Sequence, residues 1–377
     1  MNIVFVSALC SVDTINTILN KYKEKPLQSI QRYHRLLCEG FVKNNVNVKT
    51  ISSIPLVSGK RKLILNKKSE KVNGVFYRYL PCLNIKFIRQ ICLFIFSFLF
   101  TISDILKDKN SVFICDILCK SVTLGTFFAC KLFKRKCFAI VTDRPIDIFK
   151  KKEIIYKIQS KFDGYIFLTE TMNSDINVFN KPYVIVEGIA DPFIKDISVK
   201  NKENDKFIIM YAGGLFEKYG IKLLIDTIVK MDDVILELYG TGDMVSYINK
   251  LNCCNIIYGG VLENKEIIKR EKEVNLLVNP RFSDAEYTKY SFPSKIMEYM
   301  STGTPVLTTK LSGIPKEYDD YLFYIKDETE KGFYESLKKV CDMDIDYLKE
   351  RGNKAAKFVL NNKSNIIQCK KILEFME

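Results

Sequence analysis

The segment SFPSKIMEYMSTGTPVLTT, residues 291–309, combines a proline, a lysine, a glutamate and a glycine at helical spacing. Pro293 suits the first turn of a helix, because its missing N–H would have no intrahelical partner there. Gly303, followed closely by a second proline, suits the end of the same helix. The segment therefore predicts a helix of about three turns, followed by a strand.

The polar residues of this predicted helix could bind an anion. Ser294 and Glu298 are four residues apart, so the helical period places them on one face, opposite the apolar face, with Lys295 at its edge. Free N–H groups and the positive end of the helix dipole make a helix start suitable for phosphate. Many solvated surface helices begin in the same way, so the helix alone leaves both interpretations open.

Further residues suited to phosphate and base binding follow predicted strands of the same half. In YAGGLFEKYGIKLL, Gly213 and Gly214 end a strand, where glycine allows a ligand to approach the backbone, and Lys218 can reach a diphosphate as a point charge. NPR places Arg281 after another strand, near the predicted helix. IIYGG offers Tyr258 and neighbouring backbone groups to a flat base.

Strands and helices alternate along both halves of the 377-residue chain. This alternation predicts an α/β protein with two doubly wound, parallel-sheet domains. In such sheets ligands bind beyond the carboxyl ends of the strands, and with two domains the natural site is the cleft between them.

These motifs resemble the donor-binding domain of the family 4 retaining glycosyltransferases, whose GT-B fold has two Rossmann-like doubly wound domains facing a central cleft. FPSKIMEYMSTGTPV and YAGGLFEKYGIKLLIDTI carry the resemblance. The N-terminal half follows the family in layout, with KFDGYIFLTETM and YVIVEGIADPF similar to its last strands before the interdomain linker. YTKYSFPSKIMEYM is similar to enzymes of bacterial capsule, exopolysaccharide and O-antigen assembly.

The resemblance implies roles for single residues. Glu298 matches the second glutamate of the family's Glu-x7-Glu element, which holds ribose hydroxyls, and Lys218 matches a lysine that contacts donor phosphates. The chain departs from the family at Tyr290, where the first glutamate would stand, and at Gly214, where an arginine is common; we expect Arg281 to supply the missing charge. The residues expected to bind the donor are Gly213, Gly214, Lys218, Tyr258, Ser291, Pro293, Ser294, Lys295 and Glu298. Those expected to act in catalysis are Lys218, Lys295, Arg281 and Asp143.

The resemblance also implies a domain plan and a reaction. Residues 1–195 would bind the acceptor, residues 196–350 the nucleotide-sugar donor, and a C-terminal helix over 351–377 would return to the first domain. The expected reaction moves a sugar, with retention, to a lipid-linked or polysaccharide acceptor in bacterial surface-polysaccharide synthesis, with no metal or other cofactor. A nucleotide-sugar epimerase on the same plan remains open. The departures at Tyr290 and Gly214 also leave open a non-catalytic scaffold protein.

Candidates in the N-terminal half carry weaker signals. Asp143 follows a predicted strand and could face the cleft or serve a structural or capping role. His34, the only histidine, lies within a predicted helix, where packing or surface exposure is the commoner role. Glu170 and Glu187, each at the end of a strand, are candidates for the cleft wall.

Charge and cysteine content limit the partners. Residues 1–195 carry 31 Lys and Arg against 15 Asp and Glu, and the remaining residues 27 against 29, which gives the net charge of +14. No DNA- or RNA-binding motif accompanies the basic half, so we expect no nucleic acid as a partner and allow an anionic membrane surface.

The 12 cysteines form no CxxC pair and indicate buried thiols in a reducing compartment. MNIVFVSALC predicts a first strand rather than a signal peptide, so the expected location is cytoplasmic, with peripheral membrane contact allowed.

The segment QICLFIFSFLFTIS, residues 90–103, is uncharged and strongly apolar. At this length it is shorter than the ~20 residues that a membrane-spanning helix needs. It predicts either a buried core helix or a helix that enters a membrane interface with basic residues beside it.

Overall fold

The computed structural model describes residues 1–18, 20, 28–56, 64–144, 161–199, 206–251 and 253–377. The chain divides into two compact units, residues 1–189 together with 365–377, and residues 190–364. The predicted basic loop or hairpin at 58–74 and the predicted connector at 199–206 lie partly outside the described residues.

The first unit alternates strands and helices, as the sequence predicts. Its strands are β1 (Asn2–Ser7), β2 (Asn47–Ser52), β3 (Ile64–Leu65), β4 (Glu70–Val72), β5 (Val75–Tyr77), β6 (Cys82–Leu83), β7 (Ser111–Asp116), β8 (Cys137–Val141), β9 (Gly164–Phe167) and β10 (Tyr183–Ile185). Its helices are α1 (Val12–Thr17), α2 (Gln28–Lys43), α3 (Lys86–Lys107), α4 (Lys120–Leu132) and α5 (Glu170–Ile176), and the C-terminal helix described below.

One sheet runs through the first unit in the order β10-β9-β8-β7-β1-β2-β5-β4. Its strands pair in parallel, except that β4 is antiparallel to β5, and β3 pairs separately with β6. Every residue of β7 and β8 is buried. Near-continuous burial is typical of parallel strands whose sheet is covered on both faces.

The apolar segment at 90–103 is part of a longer helix than predicted. Helix α3 runs over 22 residues, from Lys86 to Lys107. The helix is therefore long enough to span a bilayer, and the expectation from the 14-residue apolar segment alone is wrong. By length and composition α3 is the one helix among the described residues that could cross a membrane, and only a minority of its apolar stretch is buried.

The second unit also alternates strands and helices. Its strands are β11 (Phe207–Gly214), β12 (Val234–Thr241), β13 (Ile256–Gly260), β14 (Leu276–Asn279), β15 (Val306–Thr309) and β16 (Phe323–Ile325). Its helices are α6 (Ile221–Ile228), α7 (Val245–Ile248), α8 (Asn264–Glu273), α9 (Ser294–Thr302), α10 (Glu330–Cys341) and α11 (Ile345–Asn362).

The strands of the second unit form a parallel sheet in the order β13-β12-β11-β14-β15-β16. Alternate residues of β11 enter two apolar cores, one on each face of the sheet. Ile209 and Tyr211 belong to one core, whereas Met210 and Ala212 belong to the other. The period of two is that of a central strand covered on both faces.

The C-terminal segment forms two helices where the sequence predicted a single one over 351–377. Helix α11 ends at Asn362, and α12 (Asn365–Met376) follows. Helix α12 belongs to the first unit. It packs against α2, where the Cys369 thiol donates to the carbonyl oxygen of Leu37 at 3.1 Å.

Candidate functional site

The candidate site lies where the strand order of the second unit reverses. Strands β11 and β14 are neighbours in the sheet but are separated in sequence by β12 and β13. Ligands of doubly wound sheets bind at this switch point, beyond the carboxyl ends of the strands. Gly213 and Gly214 are the last residues of β11, and Arg281 follows the end of β14 by two positions.

The loop after β11 makes a close contact with the end of β14. A single 3₁₀ turn covers Glu217–Tyr219, and Gly220 follows it with φ of 77°. A Cβ atom at Gly220 would overlap the carbonyl oxygen of Pro280. Glycine is therefore needed here both for the left-handed backbone and for the close approach.

This contact brings together two of the predicted cationic residues. The Lys218 ammonium lies 5.4 Å from the centroid of the Tyr219 ring, and the Arg281 guanidinium carbon lies 4.7 Å from the same centroid. Cations at these distances are attracted by the ring quadrupole. We refer to Lys218 and Arg281 as the cation pair. Both positive charges thus lie beside one ring in the switch region, where positive charge suits an anionic ligand such as a diphosphate.

Helix α9 is the helix predicted from the opening motif. It ends at Gly303, which has the predicted left-handed conformation with φ of 84°. Pro293 lies at the N-cap, immediately before the first helical residue rather than within the first turn. The Tyr299 hydroxyl is 2.9 Å from the N–H of Ala212, from which it accepts, and 3.2 Å from the carbonyl oxygen of Ala212, to which it donates. These bonds attach α9 to the end of β11.

The structure corrects the predicted polar face of α9. Ser294 is exposed, but Glu298 is only 6% exposed, so the two residues do not share a solvated face. The reason is that α9 packs against β14 and β15 and also against α8 and α11, which leaves little of its circumference free. The periodicity identified polar positions on the helix, but it carried no information about the elements that cover them.

Glu298 belongs to a small buried cluster of charged and polar groups. Its Oε1 atom is 2.6 Å from the Lys295 ammonium, and its Oε2 atom is 3.5 Å from the side-chain nitrogen of Asn264. Glu271, which has no exposed side-chain surface, lies 4.0 Å from the same ammonium, and Lys295 is 28% exposed. Two carboxylates thus flank one ammonium, so the positive charge of Lys295 is already compensated within the protein.

Sequence reasoning missed three residues of this region. Glu271 lies among the charged residues of KREKE, where nothing distinguishes it from its solvated neighbours. Tyr219 and Tyr299 carry no motif signal beyond their type. Burial raises the pKa of the Tyr299 phenol, and the nearby Glu271 carboxylate raises it further, so the hydroxyl stays protonated and can keep donating to the Ala212 carbonyl.

The predicted base-binding residue has a structural role that the sequence did not indicate. The Tyr258 hydroxyl donates to the carbonyl oxygen of Gly240 at 2.9 Å and links the ends of β12 and β13. Two positions later, Gly260 has φ of 71° and open space where a Cβ atom would stand. The open backbone at Gly260, rather than the Tyr258 hydroxyl, is the group that a flat ring could approach.

The residues before α9 form an ordered loop. Both oxygens of Glu328 accept from the backbone N–H of Ser283, at 3.0 and 3.1 Å, and the Thr288 hydroxyl donates to the carbonyl oxygen of Ala285 at 2.6 Å. Tyr290 and Ser291 lie in this loop, partly buried, directly before the buried Phe292–Pro293 step. The tyrosine at the family's glutamate position is thus part of a packed loop.

The candidates of the first unit have separate environments. Asp143 is exposed in the loop after β8, and its Oδ1 atom accepts from the N–H of Arg144 at 2.9 Å. His34 is buried 5.0 Å from the Phe5 ring, and burial lowers its pKa to about 3, so it is neutral at pH 7 and serves packing, as predicted. Glu170 begins α5 and accepts from the Tyr183 hydroxyl at 3.2 Å, whereas Glu187 is buried near Gln368.

No group of three or more His, Cys, Asp or Glu side chains in the described part of the chain is arranged to hold a metal ion. The prediction that the reaction needs no metal stays a prediction.

Comparison with solved structures gives matches over nearly the whole chain. Sucrose-phosphate synthase from Thermosynechococcus elongatus superposes with a TM-score of 0.70 over 99% of this chain and 98% of that one, at 11% identity. The Anabaena protein Alr3699/HepE, solved in complex with UDP-glucose, gives 0.61 over 99% and 98%, at 10% identity. The fold is GT-B. At these identities the likeness establishes the fold alone, and it confirms the fold class expected from the sequence.

The family match found from sequence lies within the second unit. Residues 206–342 match the family described as "Glycosyl transferases group 1", a range that contains the cation pair and α9. "Putative teichuronic acid biosynthesis glycosyltransferase TuaH" of Bacillus subtilis (strain 168) is 24% identical over 143 residues. That alignment covers 37% of this chain, and it spans only 36% of the length of the relative.

Proposed function

We propose that this GT-B chain is a retaining glycosyltransferase of the family 4 type, which moves a sugar from a nucleotide-sugar donor to a lipid-linked or polysaccharide acceptor in bacterial surface-polysaccharide synthesis. The observation that carries the proposal is the position of the cation pair and α9. Both lie at the switch point of the second unit and within the range that matches group 1 glycosyltransferases. The teichuronic acid assignment in the name of the Bacillus subtilis relative supports the class of product.

The cation pair is proposed to bind the donor diphosphate. During transfer, the bond between the anomeric carbon and the β-phosphate oxygen breaks, and its electron pair stays on that oxygen. The acceptor hydroxyl oxygen forms the new bond to the anomeric carbon, and its proton passes to the departing phosphate oxygen. Lys218 and Arg281 would stabilise the charge that develops on the departing nucleoside diphosphate, because cations held in place before the reaction need no reorganisation. The free N–H groups at the start of α9 would add to this effect.

Glu298 is proposed to accept hydrogen bonds from the ribose hydroxyls. A buried carboxylate is a strong acceptor for such donors, and the Lys295 ammonium at 2.6 Å holds it in position. Asn264, at 3.5 Å from the other oxygen, is placed to share this task. The predicted contact between Lys295 and the diphosphate requires the ammonium to exchange a carboxylate for phosphate, so we place the larger share of phosphate binding on the cation pair.

Retention and independence of metal are further parts of the proposal. Two fixed cations can supply the charge stabilisation that a divalent ion supplies in other transferases. Transfer is therefore expected to continue in the presence of EDTA. The anomeric configuration of the product, read by NMR against that of the donor, tests retention. A requirement for added Mg²⁺ or Mn²⁺, or an inverted product, would contradict these two parts.

The experiment that tests the proposal begins with nucleotide binding. A thermal-shift panel of UDP, GDP and CDP is expected to show stabilisation by one of them, because a ligand of the folded state raises the melting temperature by mass action. Sugars carried on that nucleotide are then supplied with membrane extract or oligosaccharide as acceptor, and release of the nucleoside diphosphate is measured.

Lys218→Met and Arg281→Met are each expected to lower kcat/KM by roughly 10- to 100-fold, the effect of losing one charge-assisted hydrogen bond of about 1.5–3 kcal/mol. Glu298→Gln should raise KM more than it lowers kcat. Lys222→Met is the matched control, since Lys222 lies on the neighbouring helix α6 and is paired with Asp226 at 2.5 Å. Equal activity of Lys218→Met and Lys222→Met would overturn the proposed phosphate role.

Two other outcomes would replace the proposed function. Conversion of a free nucleotide-sugar in the absence of acceptor would indicate an epimerase. Absence of both nucleotide binding and turnover across the panel would favour a non-catalytic GT-B protein.

A further inference from the structure

Helix α3 turns its apolar side away from the protein. Six exposed apolar side chains lie within about one third of the helix circumference. Among them, Ile91 and Leu106 are 58% and 69% exposed. The residues of this arc are Phe87, Ile88, Ile91, Ile95, Leu99 and Leu106. A surface helix of a globular protein normally buries such a stripe and exposes its polar residues.

The buried side of α3 is correspondingly polar. The Arg89 guanidinium donates to the carbonyl oxygen of Ile54 at 2.6 Å, and Asp104 forms an ion pair with Arg78. Between these two residues, the Thr101 hydroxyl lies 3.1 Å from that of Thr126 on α4. Rotating the helix to bury its outward isoleucines would break each of these contacts and would expose Leu93 and Ile105, which are now buried. The outward direction of the apolar arc is therefore specified by the packing.

Helix α4 extends the apolar surface. Phe128 and Leu132 are exposed on α4, and the Phe128 ring lies 6.1 Å from that of Phe94 on α3. We refer to the exposed apolar residues of the two helices as the outer face. Its members are Phe87, Ile88, Ile91, Ile95, Leu99, Leu106, Phe128 and Leu132. At ~1.5 Å per residue the part on α3 is about 28 Å long.

Three exposed lysines border the outer face. Lys86 and Lys107 are exposed at the two ends of α3, and Lys120 is exposed at the start of α4. These two fully described helices contain one acidic residue, Asp104, which is buried. An elongated apolar surface bordered by lysines is complementary to the headgroup region of a bilayer that contains anionic lipids.

The same observations argue against a membrane-spanning role for α3. Its inner side carries Arg89 and Asp104, whose partners lie elsewhere in the first unit. Crossing a bilayer would remove these charges from their partners and place them in hydrocarbon, which is strongly unfavourable. The helix can instead lie parallel to the membrane surface while the first unit stays folded.

We propose that the outer face is a docking surface for an anionic lipid bilayer. The proposal concerns the first unit and does not depend on the transfer activity, since it is tested without donor or acceptor.

The test is vesicle co-sedimentation of the full chain. Vesicles of phosphatidylcholine with 30% phosphatidylglycerol are compared with pure phosphatidylcholine near physiological salt. Wild type is expected to bind the anionic vesicles at least about tenfold more strongly, with weakening as salt rises. The triple variant Ile91→Gln, Ile95→Gln, Leu99→Gln is expected to lose at least about tenfold in binding. The triple variant Lys86→Gln, Lys107→Gln, Lys120→Gln should lose the preference for anionic vesicles.

A matched control replaces exposed apolar residues elsewhere in the same unit. Val178 and Phe179 are as exposed as Ile91, and Val178→Gln with Phe179→Gln should change vesicle binding by less than about twofold. Circular dichroism and melting temperature establish that each variant is folded. Absence of wild-type binding, or equal binding by the Ile91/Ile95/Leu99 variant, overturns the proposal. Concentration-dependent self-association in lipid-free buffer that the same variant abolishes, without vesicle binding, would assign the outer face to a second copy of the chain and also overturn it.

Discussion

Helices α3 and α9 differ in which side chains they bury and which they expose. In α9, the Glu298 carboxylate lies inside the second unit, paired with Lys295. In α3, a row of isoleucine and leucine side chains lies outside the first unit, while Arg89 and Asp104 lie within it. In both helices the buried charged side chains Arg89, Asp104 and Glu298 are hydrogen-bonded or ion-paired within the protein. The difference indicates two kinds of recognition, one for a small polar ligand and one for an extended apolar surface.

The largest effect is expected from removing the ammonium that Glu298 of α9 and Glu271 of α8 share. Lys295→Met leaves Glu298 and Glu271 close together without their ammonium, and is expected to lower the free energy of unfolding by about 3 kcal/mol. We take the lower end of the range for buried pairs because Lys295 is 28% exposed. Urea unfolding of the variant measures the loss.

Lys269→Met is the control for this change, since Lys269 pairs with Glu266 at 2.8 Å on the surface of α8 and should contribute less than about 1 kcal/mol. In the double variant Lys295→Met, Glu298→Gln, part of the lost stability should return. Equal destabilisation by Lys295→Met and Lys269→Met would show that the α9 cluster is not a buried pair in solution.

The two sides of α3 provide a second comparison. Leu93 is buried on the inner side, and Leu93→Ala is expected to cost about 2.5 kcal/mol of stability through lost packing and the cavity left behind. Ile91→Ala, two residues away on the outer face, should cost less than about 0.5 kcal/mol. Thermal unfolding of the two variants measures the difference. Similar losses would mean that Ile91 is covered in solution.

Asp116 is a buried carboxyl group whose hydrogen-bond donors are uncharged, whereas Asp104 and Glu298 are each paired with a cation. It is buried at the end of β7, and it accepts from the N–H of Leu118 at 2.9 Å and from the Cys119 thiol. Burial raises the pKa of its carboxyl from 3.8 to about 6. The folded protein therefore binds a proton that the unfolded chain has released between about pH 4 and pH 6, so the contribution of Asp116 to stability falls as pH rises through this window.

Asp116→Asn removes this cost and is expected to raise stability by about 3 kcal/mol at pH 7.5 relative to its effect at pH 3.5. Melting temperatures of wild type and variant across this range measure it. A difference between the two proteins that does not change with pH would contradict the raised pKa.

Part of the site could be predicted from sequence because it depends on local backbone chemistry. Gly303 ends α9 in the left-handed conformation that its position next to a helix end requires. Lys218 and Arg281 follow strands, and the sheet order brings the ends of those strands together. Glu271 could not be predicted, since its burial beside Lys295 arises from the packing of α8 on α9.

The length and direction of α3 were not predictable for a related reason. The uncharged run stops at Arg89 and Asp104, but the helix continues beyond both. These two charges are tolerated within it because Ile54 and Arg78, distant in sequence, provide their partners. A hydropathy pattern identifies an apolar side but does not contain these partners, so it cannot show which side faces the protein.

Helix α12 belongs to the first unit but is synthesised after the whole of the second unit. Helix α12 completes the core of the first unit, with Cys369 and Ile372 fully buried. During translation at ~5–20 residues per second, the intervening residues 190–364 take on the order of 10–35 s to synthesise. Throughout that interval the nascent first unit lacks part of its interior, so it cannot finish folding until residues 365–377 have been synthesised. Deletion of α12 would leave that gap permanently open.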